Sequence, residues 1–178
     1  MKYITATLSD TDLIYDLVQE TIRTNYPKYY PSEVVDFFLQ LHCKENIEKD
    51  IKDGHVGILI VAGNIVGTGS YEANHITRVY VKPEYQSRGY GSYIMQNIED
   101  EIAKKYHKSC LDASLPASSI YEHRGYRTIH HDKCKCENGV VLVYEIMEKK
   151  LRHITIGINY DGKRFVPKLN TENGEVDK

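Results

Sequence analysis

The sequence predicts an α+β fold, a mixed α/β layer structure with helices packed on a largely antiparallel sheet. Three observations carry that prediction. Apolar residues recur at helical spacing in Leu13, Ile14, Leu17 and Val18, and again in Tyr90, Ile94, Ile98 and Ile102. Between these stretches lie short runs rich in β-branched residues, separated by Gly, Asn and Pro in the manner of hairpins. Their order along the chain is β-α-α-(α)-β-β-β-α-β-α-β-β.

Tyr3–Thr7 reads as a first strand. Ser9-Asp10-Thr11-Asp12 offers a capping box, an acid three residues after a Ser, for a helix running to about Asn25. Pro27 and Pro31 bracket a Tyr-rich link, and Ser32 is placed to cap a second helix carrying Val34, Val35, Phe38 and Leu41. A third, weaker helix covers about Glu45–Asp53. The apolar run Val56–Ala62, a turn at Gly63-Asn64 and Ile65–Tyr71 form a hairpin signal, followed by a strand over His75–Val81 that Pro83 ends. The long helix begins at Tyr90. A short strand, Ser109–Ser114, precedes a short helix, Ala117–Arg124, closed by Gly125. Two last strands, Arg127–Cys136 and Val140–Lys149, turn about Glu137-Asn138-Gly139. Residues 1–150 thus read as one domain. Residues 151–178 read as a C-terminal extension, a short β-like hairpin and a frayed acidic tail that would suit a homodimer contact.

Composition narrows the function. Of 178 residues, Lys and Arg number 23 against 25 Asp and Glu, a net charge of −2, so no bulk basicity recommends nucleic acid or an anionic membrane as partner. No apolar run approaches the roughly 18–20 residues of a membrane span. The opening residues turn polar too early for a signal peptide. With four cysteines and no such signal, the reading is a cytoplasmic protein with reduced thiols. His130-His131-Asp132-Lys133-Cys134-Lys135-Cys136 invites a metal interpretation, but structural zinc sites need a second ligand pair elsewhere, so a solvated hairpin is preferred and no metal is expected. Fifteen Tyr stand against three Phe and no Trp, which raises the question of which phenols do chemistry.

The most informative stretch is His75-Ile-Thr-Arg-Val-Tyr-Val-Lys-Pro-Glu-Tyr-Gln86-Ser87-Arg88-Gly89-Tyr90-Gly91-Ser92. A strand feeds a loop with two glycines, and the loop becomes a helix N-terminus, where free N–H groups and the helix dipole favour an anion. No Gly-x-x-x-x-Gly-Lys-[Ser/Thr] occurs anywhere, and the dinucleotide fingerprint lacks its third Gly. Gln86-x-x-Gly89-x-Gly91, together with Ala117-Ser-Ser-Ile-Tyr121-Glu122-His-Arg-Gly125-Tyr126 downstream, resembles the two motifs of the GCN5-related N-acetyltransferase (GNAT) superfamily, in matching order and context.

That resemblance implies a GNAT-like twisted sheet flanked by helices, and acetyl-coenzyme A as cosubstrate. The amides of Gln86, Ser87, Arg88, Gly89, Tyr90, Gly91 and Ser92 would cradle its pyrophosphate, and the strand edge at Val79, Tyr80 and Val81 would pair with the pantetheine arm. A bulge there would splay that strand from Ser109–Ser114. Ser114 stands where the family often has Asn and would still hydrogen-bond the pantetheine. Lys82 and Arg88 could add charge near the phosphates. Tyr121 matches the position that often protonates the departing thiolate; a phenol near pKa 10 holds its proton where a thiol near 8.5 loses one. The family's frequent Glu base is replaced by His75, with Glu72 and water as alternatives. Tyr26, Tyr29 and Tyr30 would line the mouth for a small-molecule or peptide amine, by cation–π contact or simply as packing. Two other readings stay open at this point: a non-catalytic acyl-CoA-binding module, and a metal or interaction protein using His130–Cys136.

Overall fold

In the computed structural model, which describes residues 1–152, the chain runs β1 (Lys2–Thr5), α1 (Thr11–Asn25), α2 (Ser32–Leu41), α3 (Lys44–Lys52), β2 (Val56–Val61), β3 (Asn64–Glu72), β4 (His75–Val81), α4 (Tyr90–Ala103), β5 (Lys108–Ser114), α5 (Ser118–His123), β6 (Arg127–Lys135) and β7 (Val141–Lys150). The hairpin and tail expected of the C-terminal extension lie outside the described residues. The strands form one seven-stranded sheet in the order β1-β2-β3-β4-β5-β7-β6. Every pair is antiparallel except β4 and β5. The mixed α+β architecture expected from the sequence is the one found.

Strand alternation sends neighbouring residues to opposite faces, and each face has its own core. Leu59, Val66, Val81 and Leu111 pack with Ile94, Ile98 and Ile102 of α4. Ile58 and Tyr80 pack on the other side with Ile14, Leu17 and Ile22 of α1 and Ile47 of α3. Gly67 and Gly69 of β3 let α4 come close. A Cβ at position 69 would stand 2.5 Å from Ile94 Cγ2 and 2.7 Å from Ile98 Cδ1. Gly69→Ala is therefore expected to cost about 1–3 kcal/mol through overpacking, read as a lower urea midpoint with an unchanged slope.

Three local details depart from the sequence reading. The acid that closes the first capping box is Asp10, whose carboxylate accepts the Thr7 N–H and the Thr7 hydroxyl, each at 2.8 Å. This opens a short 3-10 turn over Leu8–Asp10 ahead of α1, and Asp12 instead pairs with Lys44. Pro31 holds the N-cap position of α2, with Ser32 as its first residue and the Ser32 hydroxyl donating to Glu33. The β2–β3 turn is Ala62-Gly63, not Gly63-Asn64: both have positive φ, 50° and 85°, and Val61 pairs directly with Asn64. Two consecutive positive φ values match the right-handed twist of the flanking strands.

The feature that creates the site lies in mid-sheet. Ser70 pairs with Arg78 but Tyr71 with Ile76, so Thr77 is an extra residue, a bulge in β4. The parallel ladder to β5 consists of His75–Cys110 and Ile76–Leu111 and goes no further. Past the bulge β4 stays with β3 and leaves β5. The Lys82 N–H donates to the Val66 carbonyl at 2.9 Å, so by antiparallel alternation the main-chain groups of Val79 and Val81 turn toward the resulting gap.

Candidate active site

The gap between β4 and β5 opens into a cleft of about 1120 Å³. It is walled by the link between α1 and α2, the loop between β4 and α4, and α5. Of the expected cofactor contacts, Val79, Tyr80, Val81, Gln86, Ser87, Gly89, Tyr90, Gly91, Ser92 and Ser114 all line this cleft. Arg88 and Lys82 do not. The Arg88 guanidinium folds back over the Tyr85 ring at 5.4 Å and donates to the Glu84 carbonyl at 2.9 Å. Lys82 lies at a smaller depression beside Leu13 and Ile65.

The loop is braced from within. Gln86 Nε2 donates to the Val81 carbonyl at 2.9 Å, so its side chain clamps the end of the strand. Ser87 and Gly89 take positive φ, 59° and 81°, and Gly89 is the N-cap of α4. The first bond of the helix runs from the Tyr93 N–H to the Gly89 carbonyl. The N–H groups of Tyr90, Gly91 and Ser92 are consequently without intrahelical acceptors, at the positive end of the dipole. At Gly91 a Cβ would meet only Val81 Cγ2, at 4.0 Å. The protein itself leaves room there.

Above the loop stands a cluster of phenols. The Tyr26 and Tyr80 hydroxyls are hydrogen-bonded at 3.0 Å, and Tyr26 packs edge-on to Phe38 at 4.9 Å and tilted to Tyr30 at 5.9 Å. Burial raises the pKa of both Tyr26 and Tyr80 above the usual phenol value. The Tyr30 hydroxyl is buried and feels Ser114 nearby, yet makes no hydrogen bond of good geometry. Tyr29 is 62% exposed at the rim. Tyr121, on α5, faces the same cleft, where burial first and the neighbouring Tyr26 second push its phenol up to about 12. The helix α5 is held by Arg124, which forks onto Glu99 of α4 with bonds of 2.8 and 2.9 Å.

The other end of the cleft is polar. His75 lies at the root of the gap, with Nε2 3.6 Å from Asp112 Oδ2 and Nδ1 3.6 Å from Cys110 Sγ. Glu72, three residues earlier, is exposed at the end of β3 and does not line the cleft. A group that sequence reasoning missed lies three residues further along β4 and also lines the cleft. Arg78 is only 5% exposed and donates from Nη2 to Asp50 at 2.8 Å and from Nε to His42 Nδ1 at 3.3 Å. Burial first, and the Arg78 charge second, hold His42 down to about 3, so the ring is neutral. The one available signal was a lone charge in the middle of an apolar strand.

Cys134 of β6 also borders the cleft, and its thiol is pushed up by burial, with Cys136 second. All four cysteines are free, and among the described residues no group of three or more His, Cys, Asp or Glu is placed to hold a metal. No helix among the described residues is long and apolar enough to cross a membrane.

Residues 25–151 match the family model described as an acetyltransferase (GNAT) domain. Over 112 residues the chain is 24% identical to YafP, an uncharacterised N-acetyltransferase of Escherichia coli, covering 63% of this chain and 71% of that protein. A GCN5-related N-acetyltransferase structure from Rhodopseudomonas palustris superposes with a TM-score of 0.77 at 21% identity, over 84% of this chain and 95% of the other. The PaiA N-acetyltransferase of Thermoplasma acidophilum, solved with coenzyme A, gives 0.65 at 18% identity, over 84% and 98%. The acetyltransferase yncA of Salmonella typhimurium, solved with acetyl-CoA, gives 0.60 at 18%, over 85% and 94%.

Proposed function

The chain belongs to the GNAT acetyltransferase family and is an acyltransferase, and from that premise we propose that it carries an acetyl group from acetyl-coenzyme A directly to a primary amine while both occupy the cleft. The observation that carries this reading is an unpaired strand edge and an unsatisfied helix N-terminus meeting along one wall of one cavity. The N–H groups of Tyr90, Gly91 and Ser92 suit a pyrophosphate, and the main-chain groups of Val79 with the N–H of Val81, whose carbonyl is taken by Gln86, suit the amides of a pantetheine arm laid in as an extra strand. The unused Tyr30 hydroxyl and Ser114 are placed for the same arm.

When bound, acetyl-CoA supplies an activated acyl carbon on a sulfur leaving group. The chain must then accept a proton from the amine, stabilise the carbonyl oxygen and return a proton to sulfur. His75 is the base in this proposal, because it lies in the cleft where Glu72 does not, and Asp112 faces its Nε2. The Val79 N–H, turned to the gap, is the donor for the carbonyl oxygen. Tyr121 keeps its proton until a thiolate appears beside it. Tyr26 and Tyr30 wall the acceptor side by packing: Tyr26 lies edge-on to Phe38 and shares its hydroxyl with Tyr80.

Gly91→Ala tests the cosubstrate site without confounding the fold. Because a Cβ there meets so little protein, stability should hold or rise by up to about 1 kcal/mol. Affinity for acetyl-CoA should fall about 10- to 100-fold, the value of one charge-assisted hydrogen bond displaced. Calorimetric titration beside urea unfolding reads both. Undiminished affinity would show that the pyrophosphate does not sit on this helix end. Release of free thiol from acetyl-CoA against a panel of amines tests the transfer itself.

A further inference from the structure

We propose that the acceptor is an amino-carboxylate, a free amino acid or a small peptide, anchored by its carboxylate at Arg78 while its amine faces His75 and Asp112. The proposal rests on the acetyl-transfer reading above and adds a substrate class to it.

The argument begins with two arginines of the same chain that are treated differently. Arg124, which also borders the cleft, closes both ends of its fork on Glu99, with bonds of 2.8 and 2.9 Å, and reaches Gln96 at 3.1 Å. Arg78 is more deeply buried, yet it meets its carboxylate through one nitrogen only, Nη2 to Asp50 at 2.8 Å. Nε goes to a neutral imidazole, and Nη1 has no hydrogen-bond partner although it is buried. A buried guanidinium with an orphaned donor is costly, and native structures rarely leave one without a purpose. Arg78 borders the cleft, and a carboxylate brought there by a ligand would meet this donor once the covering side chains give way.

The surroundings specify what that acceptor is. Asp50, with a side chain 32% exposed, only balances Arg78, and Lys49 beside it on the cleft wall leaves this end with one positive charge in excess. A single carboxylate restores the balance and fits a planar fork. His42 adds a donor: its Nδ1 accepts from Arg78, which fixes the neutral ring with its proton on Nε2. Across the cleft, Asp112 supplies the opposite sign, next to His75 at the root of the gap. One wall thus prefers an anion and the other a cation, the two ends of an amino acid.

The test uses the full chain loaded with coenzyme A and calorimetric titration with paired ligands: each of the common amino acids and several dipeptides against the corresponding carboxamides. The expected result is that at least one acid binds tenfold or more tightly than its amide. In Arg78→Gln that ratio falls to about one, while affinity for coenzyme A stays within threefold. If no acid binds, or none is preferred over its amide, the proposal is overturned. It is equally overturned if Arg78→Gln keeps the preference. If Arg78→Gln fails to fold, the wild-type comparison decides alone. Failure of coenzyme A itself to bind would instead overturn the acetyl-transfer reading, so the two outcomes remain separate.

Discussion

Tyr121→Phe is expected to lower kcat about 100- to 1000-fold while affinity for acetyl-CoA changes less than about threefold. The substitution keeps the ring, its edge-on contact with Tyr126 at 6.0 Å and the buried surface of α5. It removes only the hydroxyl. Burial pushes the phenol up to about 12, which favours the neutral form. The sign of the pH effect follows: from neutral pH to about pH 11 the group remains protonated, so wild-type kcat should show no alkaline loss attributable to it. A departing thiolate in the same buried place is desolvated too, which raises its demand for a proton. Steady-state kinetics across pH 6–10 would decide. A variant within twofold of wild type throughout would make Tyr121 a packing residue.

The second large effect is on stability. Glu99→Gln is expected to cost about 3–5 kcal/mol. The Glu99 side chain is 3% exposed and accepts from Arg124, from Lys149 at 2.9 Å and from the Tyr126 hydroxyl at 3.0 Å. Neutralising it leaves two cations without their shared counter-charge. Urea unfolding at pH 7 measures the loss. Glu101→Gln serves as control, because its pair with Lys104 is exposed and should matter little. Because Glu99 ties α4 to the residues that follow α5, the same variant should loosen Tyr121 and reduce turnover in the fraction that remains folded. Stability within about 1 kcal/mol of wild type would show that the cluster is not an anchor.

Much of this molecule was legible in the sequence wherever one residue type answers one local demand. Pro83 ends β4, Gly89 supplies the positive φ at the start of α4, and the periodic isoleucines mark the buried face of that helix. What was hidden depended on two segments meeting or on a backbone irregularity. The bulge at Thr77 is an example. Without it Ile76, Arg78 and Tyr80 would share a face; with it Ile76 joins the core under α4 while Tyr80 joins the one under α1. No periodicity reveals that switch, so Arg78 could not be assigned to the acceptor side. Arg88 illustrates a different limit. Its spacing in the loop suits a phosphate donor, but a neighbouring ring and carbonyl hold it, and short-range competition of that kind has no signature in spacing. Ala62, in a conformation that Asn or Gly would adopt more readily, shows how a tight hairpin overrides local preference.

The two-pair seam between β4 and β5 also has a consequence for how the protein holds together. Strands β1 to β4 form one blade and β5, β7 and β6 another, and their shared ladder spans only His75–Cys110 and Ile76–Leu111. The joint therefore relies on side chains, above all on α4 lying against both blades through Ile94, Ile98 and Ile102. A molecule seated along the open edge would stitch the blades where the backbone does not. Its binding energy would enter the free energy of unfolding by mass action, so each turn of the catalytic cycle would also tighten and slacken the middle of the sheet.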